Sequence, residues 1–191
     1  MLSVNNLSFF YHPDRVILKD ISFDLSSHDI LCLLGPNGTG KTTLLRCLLS
    51  LNHIKTGKIE VDGVNIKKVP ITKRAQMMAY VPQATSMAFP FEAREIVMMG
   101  RISHISTGGR PTNEDRKFAD EAMEKLGILH MSKALFNEMS GGEKQMVLVA
   151  RALAQQAKIL VMDEPTANLD YSNQVKMLLV IRSLAEQGYS I

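Results

Sequence analysis

The sequence predicts an α/β domain, and three observations carry that prediction. A continuous apolar run, Ile30–Leu34, leads straight into the glycine-rich turn Gly35–Gly40 and then a helix. A second short apolar run, Lys158–Met162, ends in two carboxylates, Asp163 and Glu164. Between and around these, β-type segments alternate with stretches of helical period. Composition agrees. Of 191 residues, 46% are hydrophobic and 21% charged, close to ordinary globular averages. That excludes a disordered chain, a collagen-like fibre and a disulfide-stapled mini-protein. The net charge of +3, from 22 basic and 19 acidic residues, gives no footprint for nucleic acid. The apolar runs are too short to span a bilayer. The N-terminal MLSVNNLSFF lacks a basic segment followed by an apolar one, so no signal peptide is expected. Cys32 and Cys47 lie among apolar neighbours, which predicts buried thiols in a reducing cytosol rather than a bridge.

The elements follow in order. Leu2–Tyr11 has β-type residues and ends at the turn signal His12-Pro13-Asp14. Val16–Leu25 alternates with period two through Ile17, Lys19, Ile21, Phe23 and Leu25, as a strand with one wet face does. Ile30–Leu34 is apolar throughout, as a strand buried on both faces requires. A helix starts near Lys41 and runs to about Leu51, with Leu44, Leu45, Leu48 and Leu49 on one face. Lys58–Val61 and Met78–Val81 read as strands, and the pattern turns helical from about Ala84. Asn113 is a good N-cap for a helix carrying Phe118, Ala119, Ala122, Met123 and Leu126, with Gly127 as its C′ residue. Ser140 and Glu143 form a capping box ahead of an apolar helix reaching about Gln156. Lys158–Met162 is a buried strand. A last helix, Ser172–Gln187, stops at Gly188, and Tyr189–Ile191 enters another strand.

Two segments carry chemistry. Gly35-Pro36-Asn37-Gly38-Thr39-Gly40-Lys41-Thr42 fits G-x-x-x-x-G-K-[ST] at every fixed position, with the strand before it and the helix after it that the motif needs. Glycines let successive N–H groups point at phosphate oxygens, and the helix start adds the positive end of its dipole. Lys41 can reach the β- and γ-phosphates, Thr42 can ligate Mg²⁺, and Thr43 follows in the same cradle. Asp163, at the end of its strand, is placed to hold Mg²⁺ through its water shell. Glu164 is placed to polarise an attacking water as general base.

With these motifs in view, the chain resembles the ATP-binding subunits of ABC transporters over essentially its whole length. Gly35–Thr42 looks like Walker A. Gln83, in Tyr80-Val81-Pro82-Gln83, looks like the Q-loop glutamine. Met139-Ser140-Gly141-Gly142-Glu143-Lys144-Gln145 resembles the signature motif, with Met for Leu and Glu for the first Gln. Asp163-Glu164-Pro165-Thr166 resembles Walker B, and Ala167-Asn168-Leu169-Asp170 the D-loop. Tyr11 lies where the family's adenine-stacking aromatic is expected. The resemblance implies a RecA-like P-loop core with an antiparallel β subdomain (1–83 and 146–191) and a helical insertion subdomain (84–145). It implies ATP and Mg²⁺ as ligands, with Gln83 touching the metal and hinging the helical part. It implies a head-to-tail homodimer in which Lys41 and Thr42 of one subunit face Ser140 and Gly142 of the other across ATP. It also implies transmembrane permease partners, an indirect link to a substrate-binding protein, and a peripheral place on the cytoplasmic face of the membrane.

Ile96–His104 and Ala150–Gln155 look like the narrower group that imports iron-siderophore, haem and cobalamin complexes. Met98-Met99 is better read as helical packing or a partner contact than as a soft metal site. The family also has a histidine at the end of the strand after the catalytic glutamate, and no histidine follows Glu164 here. That strand belongs between the Walker A and Walker B strands, so a gap in the sheet and weak turnover are expected of these residues. Other readings stay open: a nucleotide-gated regulatory module with little turnover, an exporter subunit, or a soluble ABC-type ATPase such as a cluster-assembly factor.

Overall fold

Strand β1 (Leu2–His12) is long because its partner is. With β2 (Arg15–Leu25) it forms an antiparallel hairpin of eleven residues a side around Pro13-Asp14. β3 (Thr56–Val61) pairs with the other edge of β1, and the short β4 (Val64–Asn65) completes an antiparallel sheet ordered β2-β1-β3-β4. The computed structural model describes residues 1–83, 89–106 and 108–191. The period-two pattern expected along β2 slips midway. Leu7 pairs with Ile21 and Phe9 with Leu18, so β2 spends one residue more than β1 over that stretch. This bulge changes the phase, so Leu18 rather than Lys19 faces inward. Asp20 sits at the bulge with φ 49°, and its N–H donates to the Ser8 hydroxyl at 3.0 Å.

The remaining elements are α1 (Lys41–Leu48), α2 (Ile71–Met77), β5 (Met78–Val81), α3 (Ala93–Met98), a 3₁₀ turn (Met99–His104), α4 (Asn113–Lys125), α5 (Gly141–Ala154), β6 (Ile159–Met162) and α6 (Tyr171–Glu186). The helical start expected at Ala84 lies outside the described residues. The cap of α4 is Thr112, one residue before the expected Asn113. Thr112 places Asp115 at the third helical position, where backbone and side chains satisfy each other reciprocally. Asn113 would have placed Arg116 there, which has no acceptor to return.

β5 and β6 pair in parallel, with Met78, Ala79, Tyr80 and Val81 opposite Ile159, Leu160, Val161 and Met162. Their alternation divides the interior in two. Met78, Tyr80, Ile159 and Val161 face a core shared with α1 and the antiparallel sheet. Ala79, Val81, Leu160 and Met162 face a second core built from α3, α4, α5 and α6, against which Met98 also packs. Helix α5 runs unbroken through the expected 145/146 boundary, so the helical part and the core share one rod.

The expected strand Ile30–Leu34 is not formed. Residues 29–34 are irregular, and Ile30, Leu31, Cys32 and Leu34 are exposed, Leu34 to 89%. A strand needs neighbours to bond. Here the segment bonds the chain's far end, through Leu31 N–H to the Ile191 carbonyl (2.8 Å) and Ile191 N–H to the Asp29 carbonyl (2.9 Å). Ser190 in turn bridges to Ile159. Beyond that point a cavity of about 330 Å³ opens, lined on one side by Cys32 and Leu33 and on the other by Leu160, Val161 and Ile181. Cys32 is therefore exposed, against the expectation that both thiols are buried, while Cys47 is buried on α1.

A buried ion pair fastens the 3₁₀ turn to the helices. Arg101, 4% exposed, donates from Nε to Asp115 (3.1 Å) and from Nη1 to the Ala154 carbonyl (2.8 Å) and Gln156 (2.7 Å), and its guanidinium lies 4.4 Å from the Phe118 ring centre. The Thr112 N–H and hydroxyl, and then Arg101, hold the Asp115 carboxyl below its ordinary value of 3.8. A lowered carboxyl contributes stability that is complete above the unfolded pKa and lost as pH falls through the folded one. Asp115→Asn should therefore lower unfolding free energy in urea by about 3 kcal/mol at neutral pH and flatten the acid-side decline below about pH 4. An unchanged urea midpoint would show that Arg101 does not need its partner. Thiol labelling gives a second check. Burial pushes the Cys47 thiol up to about 11, so in the native protein Cys32 should react with a disulfide reagent and Cys47 only after unfolding. Equal rates at the two would contradict this packing.

Candidate functional site

The glycine-rich loop turns from residues 29–34 into α1. Gly38 and Gly40 have φ 83° and 100°. At Gly40 a Cβ would also crowd Ile17 at 3.0 Å and Leu18 at 3.1 Å, which would have to give by a few tenths of an ångström, and φ 100° is strained for any residue with a side chain. Lys41 folds back over the loop, donating from Nζ to the carbonyls of Gly35 (2.7 Å) and Pro36 (3.0 Å), and Thr39 donates its hydroxyl to Pro36 (2.9 Å). Helix α1 has no side-chain cap and no acidic residue in its first turn. By contrast α4, α5 and α6 are capped by Thr112, Ser140 and Asp170. The first-turn N–H groups of α1 thus keep their capacity for an anion, beside a cation that carbonyl oxygens alone hold in place. A phosphate chain fits this donor set.

The carboxylate end of β6 meets this loop. Asp163 N–H donates to the Val81 carbonyl (3.0 Å), extending the parallel pairing past both strands. Its side chain is held at both oxygens, Oδ1 by the Thr42 hydroxyl (3.3 Å) and Oδ2 by the Tyr80 phenol (3.2 Å). Burial, and then the Asp163 carboxylate, push the Tyr80 phenol up, which keeps it a donor at neutral pH. A hydroxyl and a carboxylate from separate elements converging in this way suit a hard divalent cation such as Mg²⁺. Glu164 is exposed and left-handed at φ 46°, and its carbonyl accepts from Ala167 N–H (3.0 Å). That conformation costs a non-glycine residue on the order of 1 kcal/mol or more.

Gln83 lies two residues past the end of β5, after Pro82, and is half-buried. The neighbouring Pro82 carbonyl accepts from the Gln145 side chain of α5 (3.3 Å). Tyr11 stands at the end of β1, 56% exposed, edge-on to Phe9, with Asn52 donating to its phenol oxygen (3.2 Å). Asn52, and then Thr43, hold that phenol below its ordinary pKa. Tyr11 is thus beside the first turn of α1 with an open face. Ser140 caps α5: its N–H and hydroxyl both donate to Glu143 (2.8 and 2.7 Å), which lowers the Glu143 pKa. Gly142 is packed so closely that a Cβ would lie 2.8 Å from Asn173 of α6.

The structure therefore joins Lys41, Thr42, Asp163 and the Gly35–Gly40 loop into one cluster, with Gln83, Glu164 and Tyr11 on its approaches. Ser140 and Gly142 stand at the start of α5, where Gly141 neighbours Asn168 and Leu169 and Gly142 is buried against Asn173. Tyr80 went unremarked as a side chain in the motif Tyr80–Gln83. The signal was its phase: on β5 it shares a face with Met78, two residues away, and the parallel register sets it opposite Val161, two before Asp163.

Comparison with known proteins agrees with this geometry. The family model described as ABC transporter matches residues 18–167. An uncharacterised ABC transporter ATP-binding protein of Haemophilus influenzae is 41% identical over 191 residues, covering 100% of this chain and 72% of its own length. The molybdate import ATP-binding protein MolC of the same organism is 39% identical over 185 residues, covering 97% and 68%. Among solved structures, an inward-facing ABC transporter assigned to the metal-chelate type superposes with a TM-score of 0.87 at 39% identity, covering 98% of this chain and 69% of that one. The fold class expected from the motifs is thereby met, and the chain belongs to the ABC transporter family as one of its ATP-binding subunits.

Proposed function

We propose that this subunit powers the import of a metal chelate, of the iron-siderophore, haem or cobalamin type, through a separate membrane permease. The observation that carries the ATPase part is the meeting of Lys41, Thr42 and Asp163 at one loop. The likeness to a transporter of the metal-chelate type, and to a molybdate importer's subunit, supports metal-bearing cargo. Among the described residues no helix is long and apolar enough to cross a membrane; in this reading permease partners supply the span and hold the subunit at the cytoplasmic face.

The residues divide the work as follows. The loop Gly35–Thr43, through its backbone N–H groups (Pro36 has none), and the Lys41 ammonium bind the phosphates of ATP, and the open face of Tyr11 takes the adenine. Thr42, Asp163 and Gln83 would hold Mg²⁺, which when bound supplies charge neutralisation at the phosphate oxygens. Glu164 accepts the proton of the attacking water. Ser140 and Gly141 are exposed at the positive end of α5 and, with Gly142, complete the site of a second copy in a head-to-tail dimer. The helical part, 84–145, moves against the rest. That motion would be carried by α5, which runs unbroken across residue 145, with the Gln145–Pro82 bond tying the two places where the chain crosses between the parts.

Glu164→Gln should bind ATP with near-normal affinity, stabilise the dimer and lower phosphate release by about 10²-fold or more. Turnover at the normal rate would remove Glu164 as the base. For the cargo, deletion of the subunit in its host should abolish ATP-dependent uptake of labelled ferric siderophore, haem or cobalamin. Normal uptake of all three alongside lost molybdate uptake would overturn the chelate assignment and leave the ATPase assignment standing.

A further inference from the structure

We infer that Tyr80 is a positioning residue for the cation site, setting the plane of the Asp163 carboxylate through its phenol. The inference rests on the proposed Mg²⁺ role of Thr42 and Asp163. Its basis is the pair of hydrogen bonds on one carboxylate. Tyr80 takes Oδ2 at 3.2 Å, and Thr42 takes Oδ1 at 3.3 Å. The Asp163 backbone is already pinned to Val81, so the remaining freedom is that of the side chain, its χ1 rotamer and the rotation of the carboxylate about its last torsion. A carboxylate torsion of this kind is broad and roughly two-fold, and sterics alone do not fix it. Two donors on opposite oxygens do fix it.

The two donors are unequal in kind. Thr42 lies in the loop's own helix and would turn toward a cation together with Asp163. Tyr80 lies on β5, whose parallel pairing with β6 is continuous from Met78 to Val81. Its ring packs on the core beneath the antiparallel sheet, so the phenol is a fixed post. With Oδ2 held there, Oδ1 stays turned toward Thr42 before any cation arrives. Such outer partners orient metal-binding carboxylates and commonly govern affinity by an order of magnitude or more. Phenylalanine at this position would keep the ring and its packing and remove only the donor.

The test is Mn²⁺ binding to the intact subunit in the presence of ADP, read by electron paramagnetic resonance, with nucleotide binding in EDTA measured separately by fluorescence. Tyr80→Phe should leave the melting temperature and the metal-free nucleotide affinity unchanged. It should weaken Mn²⁺ binding about tenfold and broaden the spectrum of the bound ion, as a loosely held carboxylate would. Thr42→Ala and Asp163→Asn are measured beside it. If both of these weaken Mn²⁺ binding and Tyr80→Phe does not, the positioning role is overturned while the cation site stands. If neither of them weakens it, the cation site itself fails and the role of Tyr80 falls with it. If Tyr80→Phe lowers metal-free nucleotide binding by the same factor as Mn²⁺ binding, the phenol serves the fold rather than the cation, and the inference is again overturned.

Discussion

Four residues of β5 lie in parallel register on four of β6, and both cores and the site hang on that pair. One face closes the core under the antiparallel sheet, the other the core of the helices. The same register delivers Asp163 beside the end of β5, so that Tyr80, Pro82-Gln83 and the carboxylate emerge together. Parallel strands bury both faces and leave their C-terminal ends as the natural crevice for a ligand. A slip of one residue would turn Tyr80 to the helical core and leave the carboxylate without its second donor. Register is therefore the constraint from which the geometry of the site follows.

Much of this was legible in the residues. The bounds of β5, the Ser140–Glu143 box and Gly127 at the end of α4 follow from local chemistry, and local chemistry is what a single sequence displays. The loop with Lys41 was legible for the same reason, since the spacing of its glycines is a backbone requirement. The capping residue of α4 was missed by one, because the reciprocity between Thr112 and Asp115 outweighs the intrinsic preference for Asn113. The phase slip in β2 was missed because the extra residue, Asp20, is ordinary in type and unusual only in its φ. The Arg101–Asp115 pair was not visible at all. It joins two segments whose meeting is decided by packing of α4 on α5, and nothing local announces it.

Ile30–Leu34 shows the limit of periodicity most directly. Five apolar residues state that a segment can be buried on both faces; they do not state which backbone will pair with it. The hydrogen bonds of residues 29–31 with Ile191 and the bridge from Ser190 to Ile159 begin a path from this segment to β6. The apolar side chains of residues 30–33 line a cavity. Pairing is a property of two segments, so a strand read from one of them is conditional on the other.

The consequence for the site concerns what holds the phosphate loop in shape. With residues 29–34 irregular, the loop's conformation rests on its C-terminal side. Gly40 is wedged against Ile17 and Leu18, and Lys41 and Thr39 bond the carbonyls of Gly35 and Pro36. The lysine bonds are charge-assisted, though solvent screens them at this exposed position. Binding an anion in the cradle would exchange them for bonds to phosphate oxygens rather than add to them. The net gain then comes from the first-turn N–H groups of α1, which no side chain caps, and from the difference between an anionic and a neutral acceptor for one ammonium. A loop that borrows its own carbonyls as stand-in acceptors keeps its cation in place without a carboxylate to compete for it. That arrangement favours release as well as capture, as a site that must cycle requires.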